Sequence, residues 1–175
     1  MQLRRILLAC LCFALPVTSC SLFREFEVSY SGMFEGELAG NARIEPCYQV
    51  FDYPARSAIW LSDKETPSYL ILSFPITMSR GTYQFSNDLS TLSRLPQISG
   101  LIYPTASVHY SLISDFVLVF GYVTIKNFPE KPGQRVRGEF EATLHANDDP
   151  SQVLSLQGNF DFEADSDPPY DCLHN

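Results

Sequence analysis

The chain has 175 residues, of which 45% are hydrophobic and 18% are charged, and its 20 acidic residues outnumber its 12 lysines and arginines to give a net charge of −8. This acidic excess excludes nucleic acid as the expected partner, because affinity for a phosphate backbone comes from clustered Lys and Arg. With 13 Phe and 9 Tyr, the chain is too apolar to be disordered, and its length suits a single globular domain.

The first segment, residues 1–19, has the pattern of an export signal. Arg4 and Arg5 give it a positive start, and the apolar stretch that follows, residues 6–15, ends before Pro16. A stretch of that length, at about 1.5 Å per residue, cannot cross a hydrocarbon core about 30 Å thick. The pattern therefore predicts a cleaved signal peptide rather than a membrane-spanning helix.

A lipid-attachment motif ends this segment. Val17-Thr18-Ser19-Cys20 resembles the lipobox of bacterial lipoproteins, in which an aliphatic residue, more often leucine, and two small residues precede a cysteine. The resemblance implies cleavage before Cys20, a diacylglycerol on its sulfur and an acyl chain such as palmitate on its new amine. Ser21, where an aspartate would retain the protein at the inner membrane, implies the periplasmic face of the outer membrane. An ordinary secretory signal that leaves Cys20 as a plain thiol is the alternative.

The tether between lipid and domain is short. We assign residues 20–24 to the lipid anchor and tether, and residues 25–175 to a single β domain. The tether spans only about 15–20 Å when extended. We therefore expect the domain to lie close to the membrane, with a membrane-embedded or membrane-apposed protein as its partner.

The cysteine count predicts one disulfide. Of the five cysteines, Cys10 and Cys12 leave with the signal peptide and Cys20 takes the lipid, so that Cys47 and Cys172 remain. Export to an oxidising compartment predicts that these two form a disulfide bond. Two buried free thiols are the alternative.

The domain is predicted to consist of short strands separated by turns, because its prolines and glycines, 12 and 9 in the whole chain, interrupt it at short intervals. Leu89, Leu92 and Leu95, spaced by three, predict one short helix or 3₁₀ turn over residues 87–95. The predicted strands, in chain order, are residues 25–31, 34–39, 48–53, 58–61, 69–74, 82–86, 101–103, 107–112, 116–125, 136–144 and 154–162.

The last three strands have the clearest patterns. Residues 136–144 and 154–162 alternate strictly between apolar and polar side chains, which predicts a long antiparallel hairpin. Its inward glycines, Gly138 and Gly158, are expected to face bulky neighbours or to mark bends. Residues 116–125 are apolar at both odd and even positions, which predicts a central strand covered on both faces.

About ten short strands with at most one helix predict an all-β fold, an antiparallel β-sandwich or, alternatively, a β-barrel. The last three strands are similar to the terminal strands of several uncharacterised bacterial lipoproteins that fold as small β-sandwiches. This likeness implies the fold and carries no functional residues.

Motifs for catalysis are missing from the sequence. It contains no G-x-S-x-G, S-x-x-K or H-E-x-x-H motif and no glycine-rich phosphate loop, so we predict no catalytic residue, no enzyme activity and no cofactor. A hydrolase whose Ser, His and Asp meet only in the folded chain is the low-probability alternative.

Four acidic residues alternate near the C-terminus: Asp161, Glu163, Asp165 and Asp167. Alternation in a strand places them on the solvated face. A weak calcium site is the alternative, because carboxylate oxygens are the ligands that Ca²⁺ prefers.

Four aromatic residues cluster near Cys47: Tyr48, Phe51, Tyr53 and Trp60. We expect them to belong to the core, since aromatic side chains dominate the interiors of β-sandwiches. A partner-binding patch is the alternative.

These observations favour a non-catalytic binding or structural component of the bacterial envelope. The protein would be held to the membrane by its N-terminal lipid and would bind another envelope protein. A carrier of a small apolar ligand or lipid in a β cavity is the alternative.

Overall fold

The computed structural model describes residues 24–48, 56–75, 79–86, 88, 91, 94–129 and 133–164, with ten β-strands and no helix among them. In those residues there is accordingly no helix of the length and apolarity needed to span a membrane. The strands are β1 Phe26–Gly32, β2 Gly36–Tyr48, β3 Arg56–Asp63, β4 Tyr69–Pro75, β5 Gly81–Gln84, β6 Gln97–Thr105, β7 Val108–Ser111, β8 Phe116–Asn127, β9 Arg135–Ala146 and β10 Val153–Glu163.

All ten strands form one antiparallel sheet in the order β5-β8-β9-β10-β1-β2-β3-β4-β6-β7. The first four strands run as a meander, β6 and β7 extend it beyond β4, and β8–β10 return on the other side so that the last strand pairs with the first. The sheet does not close into a barrel, because β5 and β7 are its two edges. The all-β prediction is confirmed, and the barrel alternative is wrong.

Aromatic contacts show that the sheet folds over on itself. Phe74 of β4 lies edge-on to Phe128, which follows β8, with ring centroids 6.5 Å apart. Near the other end, Tyr110 of β7 stacks on Phe34 at 4.9 Å and lies 5.9 Å from Phe116 of β8. Strands distant in the sheet order therefore face each other across a shared interior, as in a β-sandwich.

Along most strands every second side chain points inward, and these side chains form one hydrophobic core. Full burial of each Leu, Ile, Val or Phe side chain contributes about 1.5–3 kcal/mol. The core includes Phe26, Val28, Leu38, Ile59, Leu61, Leu70, Leu72, Ile98, Ile102, Val123, Val136, Phe140, Leu144, Leu154, Leu156 and Phe160.

The β9–β10 hairpin is confirmed, and its register explains both inward glycines. Gly138 pairs with Phe160 and Phe140 pairs with Gly158, so each phenylalanine lies against the glycine of the opposite strand. A Cβ atom on Gly158 would lie 2.8 Å from Cζ of Phe140. The glycines make room for the two rings, which confirms that they face bulky neighbours.

The prediction that residues 116–125 form a central strand covered on both faces is wrong. β8 lies next to the short edge strand β5, and a bulge between Leu118 and Phe120 shifts its register. The inward set is therefore Phe116 and Leu118 before the bulge and odd-numbered residues after it. The apolar run on both parities reflects this switch of face.

Instead, parts of β3 and β4 are buried on both faces. On β3, Arg56 points away from the core and is nevertheless only 1% exposed. Its Nη2 donates hydrogen bonds to the carbonyl oxygens of Ser73 at 2.9 Å and Leu95 at 3.0 Å. Burial lowers the pKa of Arg56 to about 10, so its guanidinium stays charged at neutral pH.

One predicted boundary also differs from the structure. The strand predicted to end at Ala39 continues as β2 to Tyr48, with Gly40 paired to Phe26. In the predicted helix or 3₁₀ segment, the N–H of Thr91 donates to the carbonyl of Asp88 and that of Arg94 to the carbonyl of Thr91. These bonds over three residues are typical of 3₁₀ turns.

We predict that Gly138→Ala lowers the free energy of unfolding by about 1–3 kcal/mol, because the added methyl overpacks the hairpin. Its Cβ would lie 2.6 Å from the backbone oxygen of Thr124, which cannot move aside as a side chain can. Gly81→Ala is the control, since its Cβ would meet only the far end of the Tyr83 side chain, at 3.0 Å. Urea unfolding measures both, and equal losses would contradict the ring-on-glycine packing.

Candidate functional site

A polar groove of about 570 Å³ runs across the solvated face of β8, β9, β10, β1 and β2. Strand register aligns its side chains in rows, one of which contains Tyr122, Glu141, Gln157, Ser29 and Glu37. The next row contains Glu139, Asn159 and Glu27. Carboxylates therefore alternate with amide and hydroxyl groups, an arrangement that can hydrogen-bond a polar surface.

The charges of this groove are partly paired within the domain. Lys126 forms an ion pair with Glu139, and Arg24 lies 3.3 Å from Glu27. The Tyr122 phenol donates a hydrogen bond to Glu141, which raises the pKa of Tyr122. The hydroxyl of Ser29 donates to the backbone oxygen of Gln157 at 3.4 Å, so the serine in this groove is not paired with a general base.

A second feature is an exposed apolar cluster, which we call the β8 patch: Ile113, Val117, Val119 and Phe120. These side chains are 66%, 55%, 52% and 48% exposed, respectively. Ile113, Val117 and Val119 line a groove of about 490 Å³ together with Phe85 and Asp88. Contiguous apolar side chains at the surface mark interaction sites in soluble domains more often than isolated ones do.

Among the described residues, the backbone beside this patch pairs with a strand only on the side of β9. β5 pairs with β8 from Tyr122 to Ile125, and the N–H of Phe85 donates to Gly121 at 2.9 Å. The chain then turns away, since the N–H of Ser86 donates to the carbonyl of Pro96. In the part of the chain that the structure describes, no strand lies beside residues 117–120 on the side opposite β9.

The patch lies far from the start of the domain. Arg24 precedes β1, and the register across β10 and β9 places Phe26 level with Ile125 of β8. Val119 lies six residues along β8 from Ile125, which corresponds to about 20 Å. The β8 patch is therefore near the end of the sheet opposite the first residue of β1.

Most of the sequence-predicted site residues lie outside the described residues. Cys20, Phe51, Tyr53, Asp165, Asp167 and Cys172 are among them, and Cys47 and Tyr48 are described only as backbone in β2. Lipidation of Cys20 and the Cys47–Cys172 disulfide stay predictions.

Trp60 is the member of the aromatic cluster whose side chain is described. It is half-buried on β3, with the guanidinium of Arg43 5.3 Å from its ring centroid and the ring of Tyr69 at 5.7 Å. Trp60 is thus engaged by neighbours from β2 and β4.

Asp161 of the proposed calcium set faces cations of its own domain. Its carboxylate lies 2.5 Å from Nε of Arg135 and 3.6 Å from Nε of Arg137, and Glu163 pairs with Arg135 in the strand register. Among the described residues, no three His, Cys, Asp or Glu side chains are grouped as metal ligands.

Sequence reasoning missed the β8 patch. Val117, Val119 and Phe120 belonged to the strand predicted to be covered on both faces, and Ile113 belonged to no predicted element. The available signal was the apolar run on both parities, which is equally compatible with a bulged strand that presents one apolar side to a partner.

Comparisons with protein-family models, curated proteins and solved structures find no match for this chain. Inference about its function therefore depends on the geometry of its own surface and on the predicted export signal.

We predict that Glu141→Gln lowers the pKa of the Tyr122 phenol toward its ordinary value of about 10. The carboxylate of Glu141 stabilises the protonated phenol by accepting its hydrogen bond, and a neutral amide does so less. A pH titration of the Tyr122 ring by NMR, assigned with Tyr122→Phe, measures the change. Glu37→Gln, in the same row, is the control that should leave the titration in place. An unchanged curve in Glu141→Gln would contradict the bond.

Proposed function

We propose that this protein is a lipid-anchored component of the bacterial outer membrane whose β domain binds another envelope protein without catalysis. The observation that carries the binding role is the β8 patch. Its four apolar side chains, from Ile113 to Phe120, are each about half exposed or more, whereas most apolar side chains of the sheet lie in a shared core. A partner protein would remove this surface from water.

The polar groove does not favour the alternative role as a carrier of an apolar ligand. Carrier cavities are lined mainly by hydrophobic and aromatic side chains. Four glutamates line this groove: Glu27, Glu37, Glu139 and Glu141. Burial of an apolar ligand there would desolvate charged groups without compensation.

The membrane role depends on Val17-Thr18-Ser19-Cys20. Several acyl chains on one cysteine would anchor the protein firmly, since each buried CH₂ contributes about 0.8 kcal/mol. The first strand begins at Phe26, so the domain would lie close to the lipid. The β8 patch would then face away from it, about 20 Å further along the strand direction, and a membrane-embedded partner would need a segment that reaches this height.

We predict that Cys20→Ala prevents lipidation and leaves an unprocessed precursor, because the modified sulfur is lost. Cys12→Ala, within the signal peptide, is the matched control and should be processed normally. Metabolic labelling with palmitate and electrophoretic mobility after fractionation measure the outcome. A Cys20→Ala protein of mature size in the membrane fraction would contradict the lipoprotein assignment.

For the binding role, we predict that a photo-crosslinking amino acid at position 113, in the β8 patch, captures an envelope protein in intact cells. The same group at position 157, in the polar groove, is the control and should capture far less. The adducts are separated by mass and identified by peptide sequencing. Equal capture at the two positions, or capture at position 157 alone, would contradict a role for the patch.

A further inference from the structure

We propose that the open edge of β8 at residues 117–120 accepts an extended, basic segment of the partner protein as an added β-strand. This inference rests on the proposed function and deepens it, because it names the mode of binding and the chemistry of the partner.

The backbone specifies the shape of the occupant. A strand edge presents a row of N–H and C=O groups, and an extended polypeptide satisfies them by pairing. β5 takes up this edge only as far as Gly121, through the N–H of Phe85. An added segment would thus continue the ladder in line with β5 and beside β9.

No charged side chain or proline protects this edge. Natural edge strands are blunted by lysine, proline, inward-pointing charges or bulges. At positions 117–120, β8 has Val, Leu, Val and Phe, and its protecting feature is the bulge between Leu118 and Phe120. Three of these side chains are about half exposed, whereas on the other edge strand, β7, Val108 is the exposed large apolar side chain. The edge at residues 117–120 is therefore better suited to accept an apolar strand.

Side chains of the added strand would have a place to bind. The groove of about 490 Å³ next to the edge is lined by Phe85, Ile113, Val117 and Val119. Successive residues of a strand point to opposite faces, so alternate residues of the partner segment would enter this groove. We expect those residues to be apolar.

The acidic residues around the groove predict that the other residues of the partner segment are basic. Asp88 lines this groove, and Asp115 and Asp148 line the adjoining one, which shares Phe116 and Asn147 with it. Among the described residues that line the two grooves there is no Lys or Arg. A basic segment would be attracted over the Debye length of about 8–10 Å.

The same charges disfavour a second copy of this chain as the occupant. Pairing of two β8 edges about a twofold axis would place the same aspartates of both copies near one another. Like charges across an interface oppose association. The partner is therefore a different protein with lysine or arginine beside apolar residues in an extended segment.

The test uses the mature, lipidated protein in detergent micelles and an eight-residue peptide of alternating valine and lysine. Hydrogen exchange measured by mass spectrometry should slow at residues 117–120 when the peptide is added. A peptide of alternating valine and glutamate should bind at least about tenfold more weakly, and added salt should weaken the lysine peptide.

Three variants separate strand addition from a general surface effect. Val119→Lys should reduce affinity for the lysine peptide at least about tenfold, because it places a protecting charge at the edge. Val119→Thr keeps a β-branched side chain and should lose less than about threefold. Gln157→Lys adds the same charge in the polar groove and should bind as the unmodified protein does. Position 119 is exposed, and thermal unfolding checks that each variant is folded.

Other results would overturn the inference. These are no protection at residues 117–120 at about 1 mM peptide, equal binding of the lysine and glutamate peptides, or protection that appears without peptide as protein concentration rises, which would indicate a second copy. Capture of an envelope protein from position 113 together with failure of the peptide would mean that a folded surface binds the patch. The proposed function would then stand while strand addition fell, whereas failure of both experiments would remove both.

Discussion

The rest of the structure depends on the interlock of phenylalanine rings with glycines across β1, β10 and β9. Phe160 lies over Gly138 and Phe140 over Gly158, while Val28 of β1 packs against Gly158 from the next strand. Because side chains alternate with a period of two, a slip of one residue would exchange the two faces of every strand in this group. The interlock therefore selects one register, and that register places the polar rows on the solvent side.

The same register determines what β8 must do. Its first half contributes Phe116 and Leu118 to the interior, and its second half contributes Val123 and Ile125. The first pair has even residue numbers and the second pair has odd ones, so in a regular strand the two pairs would point to opposite faces. The bulge between Leu118 and Phe120 lets both pairs point inward while β8 stays paired with β9. At the bulge the successive residues Val119 and Phe120 are both exposed. The bulge that keeps both halves of the strand in the core thus accounts for this part of the β8 patch.

The two surface features differ in how their polar and apolar groups are satisfied. In the polar groove, Glu139, Glu27 and Glu141 have partners within the domain, and solvent can reach the rest. At the β8 patch, exposed apolar side chains lie beside a strand edge that no described strand pairs with, and both would gain from being covered. This difference makes the patch the stronger candidate for recognition, while the groove is explained as the wet face of a sheet. In the proposed complex, the acidic residues near the patch would set the sign of the partner's charge.

The sequence by itself determined the strand-rich fold, the β9–β10 hairpin and the inward glycines. Strict alternation of apolar and polar residues indicates a strand with one buried and one solvated face, and it can be seen without knowing the strand's neighbours. Export and lipid attachment are also predicted from the sequence alone, because they depend on a contiguous motif, and they stay predictions. Only the tertiary structure decided the strand order, the burial of β3 and β4 on both faces, and the exposure of Val117, Val119 and Phe120. Strand order follows from pairings between residues more than a hundred positions apart, such as Phe26 with Phe160. Apolar runs report how hydrophobic a strand is, whereas what covers it depends on which distant strands fold against it and on where a bulge changes its face.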